Sequence, residues 1–481
     1  MTSCRMGRRE LMRWSAVVAG AGVLLADPER SYAAARAAGP DAVMPVNLEL
    51  VTVTEDSAVL TWYTGVPASN NGLGQMLPAP ADAEVVYGTH PGRLNRVAYG
   101  APDTAYHYVE LTGLEPGRTY YYQARSRGRL ALPTMLATGN AAGTGAQGFS
   151  FTTPQPPPGR FLFSIALCND LHLGETVAGL AGGIPEIIGI SQVPGEPPYA
   201  EIMAQALVAD ARARGARYLL ASGDVSAEAV PAELQDAKSH LDAFGTYRSD
   251  YWVARGNHDR AHSGTEYASC SVGQWQGNDC FRDEFFGADE LTYFSFDLNG
   301  LHLVGLDTYD KAGAGADDGG LSTAQMSWLT ADLAAHKDQP TLVFGHHPLL
   351  ADGDLLSILG GDVLDPAQSA AIDSAYAAAP GVFLHHAGHT HRNKQAILPT
   401  SGVVHQEVGA VKEYPGGFNL LRLYTGGYAL NFYKTRSEFA RGWSERSRME
   451  VVGAWPQISF GYSPADRNSV FTRDLSGLRR A

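Results

Sequence analysis

From about residue 43 to residue 153, apolar and polar positions alternate. Runs at 48–53 and 57–63 are separated by Gly, Pro and Asn clusters, with no helical period between them. A period of two puts one face of each segment on a core and the other in water, so residues 42–153 are predicted to be all-β. The run Pro154-Gln155-Pro156-Pro157-Pro158-Gly159 cannot continue a strand ladder, because proline has no amide to donate. It predicts a stiff connector over 154–159. Beyond it the pattern changes: short apolar runs at 161–167, 218–221, 251–254, 341–344 and 382–385 alternate with helical patterns at 199–214, 231–244, 322–336 and 366–378. That alternation predicts an α/β layered domain over 160–435, with active-site loops at the strand ends. Asn299-Gly300, between two apolar runs within 291–307, predicts a hairpin. Residues 436–481 form a polar, Arg-rich extension whose pattern specifies no clear structure.

Composition and charge narrow the function. With 50 acidic residues against 36 basic ones the formal charge is -14, which repels polyanions and excludes nucleic-acid backbone binding as the main activity. Any phosphate must therefore be met locally, by fixed cations. At the N-terminus, Arg8 and Arg9 precede an apolar stretch at 14–26 that is too short to span a bilayer, and Ser31, Ala33, Ala35 and Ala37 offer cleavage sites. Residues 1–37 resemble a twin-arginine signal, which implies a secreted or extracytoplasmic protein; the alternative is a cytosolic protein with an amphipathic tail. No other stretch is long and apolar enough for a membrane span. Of the four cysteines, Cys4 would leave with the signal, Cys270 and Cys280 could pair in an oxidising exterior, and Cys168 ends an apolar run as a small buried hydrophobe. No C-x-x-C pair remains to build a zinc–thiolate site.

Polar clusters fall just past five of the apolar runs: Asp170-Leu171-His172, Gly223-Asp224, Gly256-Asn257-His258-Asp259, Gly345-His346-His347-Pro348 and Gly388-His389-Thr390-His391. Five strand ends would thus bring carboxylate, amide and imidazole groups to one rim of one sheet. Oxygen and nitrogen donors without thiolate suit Mn, Fe or Zn. Two ions need one bridging carboxylate with terminal ligands on either side, and this inventory suffices.

The order of these blocks resembles the calcineurin-like metallophosphoesterases over residues 160–435. The resemblance implies a four-layer αββα domain in which Asp170, His172, Asp224 and His391 hold one metal ion, and Asp224, Asn257, His346 and His389 hold the other. It places His258 beside the substrate as electrophile or proton donor, with Asp259 orienting its ring. The neighbours His347, His385 and His386 are read as supporting or core residues. The segment Leu114-Glu115-Pro116-Gly117-Arg118-Thr119-Tyr120-Tyr121-Tyr122 resembles the fibronectin type III pattern, with Tyr120 at the tyrosine corner, which implies a seven-stranded β-sandwich over 42–153. Sandwich plus catalytic domain is similar to the purple acid phosphatases, with two departures. His172 stands where those enzymes have Gly, and Ala227 stands where they have the tyrosinate that gives their colour. Residues 173–198, rich in Gly, Pro and Ile, are either a cap over the site or a surface insertion.

The resulting expectation is an exported binuclear phosphatase that hydrolyses small-molecule phosphate monoesters through metal-activated water. The alternatives are a phosphodiesterase or nucleotidase of the same superfamily, or a non-catalytic exported adhesion or wall-binding protein that uses the fold as a scaffold.

Overall fold

The computed structural model describes residues 43–70, 75–133, 149–179, 189–273, 275, 277–311, 317–350, 363–450 and 456–481. The expected signal at 1–37, and with it Cys4, lies outside these residues.

The N-terminal domain is a sandwich. One sheet has the order β1 (Met44–Val53), β2 (Ser57–Gly65), β5 (Tyr106–Thr112). The other runs β4 (Arg96–Tyr99), β3 (Glu84–Gly88), β6 (Thr119–Ser126), with β7 (Arg129–Leu130) and β8 (Phe149–Thr152) both paired to β6. The strands thus number seven plus the two-residue β7. The period-two alternation holds well on β6, where Tyr120, Tyr122 and Ala124 point inward and their neighbours are half-buried. Tyr120 Oη accepts the Glu115 amide at 2.9 Å, the tyrosine-corner bond that pins the loop before β6.

Two six-stranded sheets form the second domain. The first has the order β13 (Tyr251–Ala254), β12 (Tyr218–Ser222), β9 (Phe161–Cys168), β20 (Gly417–Tyr424), β21 (Gly427–Lys434), β22 (Asn468–Thr472). The second has the order β14 (Phe294–Leu298), β15 (Leu301–Gly305), β16 (Thr341–Phe344), β17 (Val382–Ala387), β19 (Val404–Glu407), β18 (Lys394–Ile397). A short hairpin of β10 (Val177–Ala178) and β11 (Ile190–Ser191) stands apart. The sheets face each other across one apolar layer. Phe163, Ile165 and Leu167 of β9 meet Leu342, Phe344 and Leu384 there, while Ala166 and Cys168 face the helices Tyr199–Ala213 and Pro231–Asp242 on the outer side. A third cluster seats the helices Thr323–Ala335 and Pro366–Ala378 on the second sheet, which gives the four-layer αββα order.

Residues after 435 contribute to these layers. The helix Glu438–Ser447 buries Ala440 and Trp443 in the core under the first sheet, and β22 pairs with β21. The Asn299-Gly300 hairpin forms as expected, with φ of 52° and 89° at the two turn residues, as a turn matching the strand twist requires.

Val51 and Val59 of the sandwich belong to the same buried cluster as the catalytic-domain core. Around them the polar contacts are dense. Glu49 meets Lys434 and Arg448, each at 2.7 Å, and the buried Arg467 donates to the carbonyls of Leu50 and Val51 at 2.7 and 3.1 Å. A connector made stiff by proline therefore joins two domains that are also fixed by side chains along the length of β1.

Candidate metal centre

Three of the five polar blocks follow the parallel strands β9, β12 and β13 of the first sheet, and two follow β16 and β17 of the second. This corrects the expectation of one rim of one sheet: the blocks meet where the C-terminal ends of two facing sheets come together. The backbone turns sharply at each block. Asp170, His172, Asp224, His389 and His391 all have φ between 46° and 68°, left-handed values that a residue with a Cβ adopts at a cost of order 1–3 kcal/mol. Gly256 leaves room for the result, since a Cβ there would collide with Asp224 Oδ1.

The side chains so turned converge. Asp224 Oδ2 lies 3.0 Å from His346 Nε2 and 3.4 Å from His172 Nε2. Asp170 Oδ1 lies 3.4 Å from His391 Nε2, 3.8 Å from His346 Nε2 and 3.9 Å from His172 Nε2. His389 Nδ1 sits 3.2 Å from His346 Nε2. Asp170, His172 and His391 form one group able to hold a cation, and Asp224, His346 and His389 form another. Asn257 lies beside them, buried, with its Nδ2 donating to Asp317 Oδ1 at 3.3 Å.

Asp170 Oδ1, Asn257 Oδ1 and both ring nitrogens of His172 are buried without a hydrogen-bond partner. Buried polar atoms left unpaired cost several kcal/mol in total, and a cation between these oxygen and nitrogen donors would satisfy them. The donor set thus fits divalent or trivalent ions of the Mn, Fe or Zn kind.

The charges agree. Burial pushes the Asp170 and Asp224 carboxyls up, but the imidazoles around them, His391 for Asp170 and His346 for Asp224 foremost, hold both well below the usual carboxylate range. Burial lowers the imidazoles in turn, yet Asp170 and Glu413 raise His391 to about 10, and Asp224 raises His346 to about 9. The carboxylates thus favour the protonated imidazoles, and a cation that took their lone pairs would release protons.

His258 is anchored from both sides. Its amide donates to Asp224 Oδ1 at 2.8 Å, its Nδ1 donates to the Ala227 carbonyl at 2.6 Å, and its ring packs 4.4 Å from that of His172. Asp259 does not orient it. The Asp259 carboxylate instead accepts the amides of Gly256 and Ser226, both at 3.0 Å, the Val225 amide at 3.3 Å and the Ser226 hydroxyl at 2.7 Å. It staples two site loops to each other, and the position without a tyrosine, Ala227, supplies the carbonyl that orients His258.

Of the remaining histidines, His347 donates to the Asp317 carbonyl and contacts the Thr308 hydroxyl, and His385 contacts the Tyr376 hydroxyl, all in the interior. Sequence reasoning missed Glu175, Lys412 and Glu413, buried or half-buried behind His172 and His391. They lie outside every polar block, and no spacing marks them. Of residues 173–198, 180–188 lie outside the described residues; the parts on either side meet in the β10–β11 pair.

Fold and donor set together are similar to those of metallophosphoesterases. Residues 163–393 match the calcineurin-like phosphoesterase family, and residues 43–153 match the purple acid phosphatase N-terminal domain. Purple acid phosphatase 15 of Arabidopsis thaliana is 24% identical over 337 residues, which are 61% of this chain and 54% of that protein. The chain thus spans about half the length of this curated relative. Among solved structures, a purple acid phosphatase from yellow lupin (Lupinus luteus) seeds is 15% identical, with 81% of this chain and 72% of that one covered and a TM-score of 0.39. A dimetal phosphatase from Danio rerio is 18% identical, with 58% and 98% covered and a TM-score of 0.41.

Proposed function

We propose that the chain is an exported, binuclear metal-dependent phosphatase that hydrolyses phosphate monoesters. The observation that carries this reading is the buried, unpartnered set of Asp170 Oδ1, Asn257 Oδ1 and the His172 nitrogens, beside imidazoles gathered on Asp224. Asp170, His172, Asp224 and His391 would hold one ion, and Asp224, Asn257, His346 and His389 the other, with Asp224 shared. Two bound cations supply positive charge for phosphoryl oxygens and lower the pKa of water toward neutrality. His258 contributes the proton. With Nδ1–H held by the Ala227 carbonyl, its Nε2 can give a proton to the departing alkoxide when the ring enters the step as imidazolium, a form that burial disfavours and a bound phosphate dianion would favour.

A monoester dianion offers three free oxygens, which two cations and His258 can hold together. A diester lacks one of them and must lodge a second substituent. Export is supported by Arg8-Arg9 ahead of an apolar stretch and by the Cys270–Cys280 disulfide, a bond that persists in oxidising compartments. Among the described residues no helix is long and apolar enough to cross a membrane. The test is kcat/KM for p-nitrophenyl phosphate against bis(p-nitrophenyl) phosphate with Mn, Fe and Zn. Preference for the monoester is expected; a consistent preference for the diester makes the chain a phosphodiesterase, and no turnover despite two bound ions makes it a scaffold.

A further inference from the structure

The two halves of the site rest on different supports. In the half around Asp170, His391 Nδ1 donates to Glu413 Oε1 at 2.6 Å, and His172 Nδ1 faces Glu175 Oε1 at 3.8 Å. Lys412 joins those carboxylates: its Nζ lies 2.7 Å from Glu175 Oε1 and 3.8 Å from Glu413 Oε2. Lys412 is 1% exposed and Glu413 fully buried, and the segment carrying them is fixed to the first block by the Lys412 amide, which donates to the Asp170 carbonyl at 3.1 Å. Tyr199 donates to Glu175 Oε2 at 2.7 Å, and Trp443 donates to the Lys412 carbonyl at 2.8 Å. In the other half, His346 Nδ1 donates at 2.7 Å to a neutral group, the Ser222 carbonyl.

A carboxylate that accepts one imidazole N–H fixes the tautomer, aims the opposite nitrogen and makes it a stronger donor to a cation, whereas a carbonyl does the first two with less gain in basicity. A buried carboxylate needs a partner of opposite charge; Lys412 serves both here and also faces the buried Glu450, which lies against Glu413. We infer that Glu413, Lys412 and Glu175 are positioning residues that make the halves unequal. The half formed by Asp170, His172, Asp224 and His391 binds its cation more tightly and surrenders it last. This inference rests on the binuclear reading above, and it assigns to residues outside every polar block the control of metal retention.

The experiment is a titration of the metal-stripped full chain with Mn²⁺ and, separately, Zn²⁺. Bound metal is counted by mass spectrometry after equilibration with buffered chelator, and melting temperature is followed in parallel. Wild type is expected to bind two ions in steps at least about tenfold apart. Glu413→Gln, an isosteric change, is expected to weaken the tighter step by about 10–100-fold and to leave the weaker one in place, with Glu413→Asp recovering part of the loss. Glu175→Gln, at a partly exposed position and so of less risk to folding, should move the same step by a smaller factor. Equal weakening of both steps, or wild-type affinities in Glu413→Gln and Glu175→Gln, overturns the inference while the binuclear reading stands. A wild-type chain that binds fewer than one ion overturns both.

Discussion

Asp224 touches both halves of the site, with Oδ2 toward His346 and His172 and Oδ1 accepting the His258 amide. Asp224→Ala should therefore cost both ions if Asp224 is the shared carboxylate proposed above; elemental analysis showing two ions retained would sink the bridge. His258→Ala should slow alkyl phosphates by roughly 10²–10⁴-fold and nitrophenyl phosphate much less, because an acidic phenol departs without a proton. Equal losses in kcat/KM for both would assign His258 to binding. Residues such as Asp170, Asn257 and His391 were legible because each ends an apolar strand, where a polar group must face a cleft or solvent. Glu413 and Glu175 were not, because a carboxylate acting from behind a ligand leaves no mark in spacing. The role of Asp259 was misread for a related reason: adjacency to His258 suggested a contact, but neighbouring side chains in a tight turn point apart.

At the scale of elements, the site is a set of turns held to one another. Asp259 joins the turn after β12 to the turn after β13 through four donors. Asp259→Ala would leave those donors buried and unpaired, at about 1–3 kcal/mol for each one that water cannot reach. We expect a loss of at least roughly 3 kcal/mol in denaturant unfolding, with metal affinity falling alongside; a change under about 1 kcal/mol would show that the loops hold without the staple. Helices and parallel strands of the second domain were legible within a few residues, since burial on both faces gives unbroken apolar runs. The tail after 435 was harder to read. β22 is an edge strand with every residue at least partly exposed, so Asn468–Thr472 carries no run for periodicity to find.

For the whole molecule, the seam between the sandwich and the sheets is the feature that pH should report. Burial pushes the Glu49 carboxyl up, but Lys434 and Arg448 outweigh it and lower it from 4.5 to about 2. Its contribution is thus complete above pH 4.5 and is lost as pH falls toward 2, a difference of roughly 3 kcal/mol. Unfolding free energy measured across that range should fall in wild type. In Glu49→Gln it should start lower, because Lys434 and Arg448 lose their partner, and change less with pH; parallel slopes would remove Glu49 from the seam. The sequence foretold a sandwich and a connector but not this seam, because Glu49 and Arg467 look like ordinary surface residues until β1 lies against β21. Arg467 then carries a consequence of its own. It is fully buried, and four of its acceptors are backbone carbonyls, two of them on β1 and two at Phe460 and Ser463. Backbone acceptors do not depend on side-chain identity, so sequence drift in the sandwich leaves this tie intact. Deleting the sandwich removes two of these acceptors at once and leaves those at Phe460 and Ser463. Cut away from the sandwich, the second domain is therefore expected to unfold at lower denaturant than the full chain unless another strand supplies the carbonyls of β1.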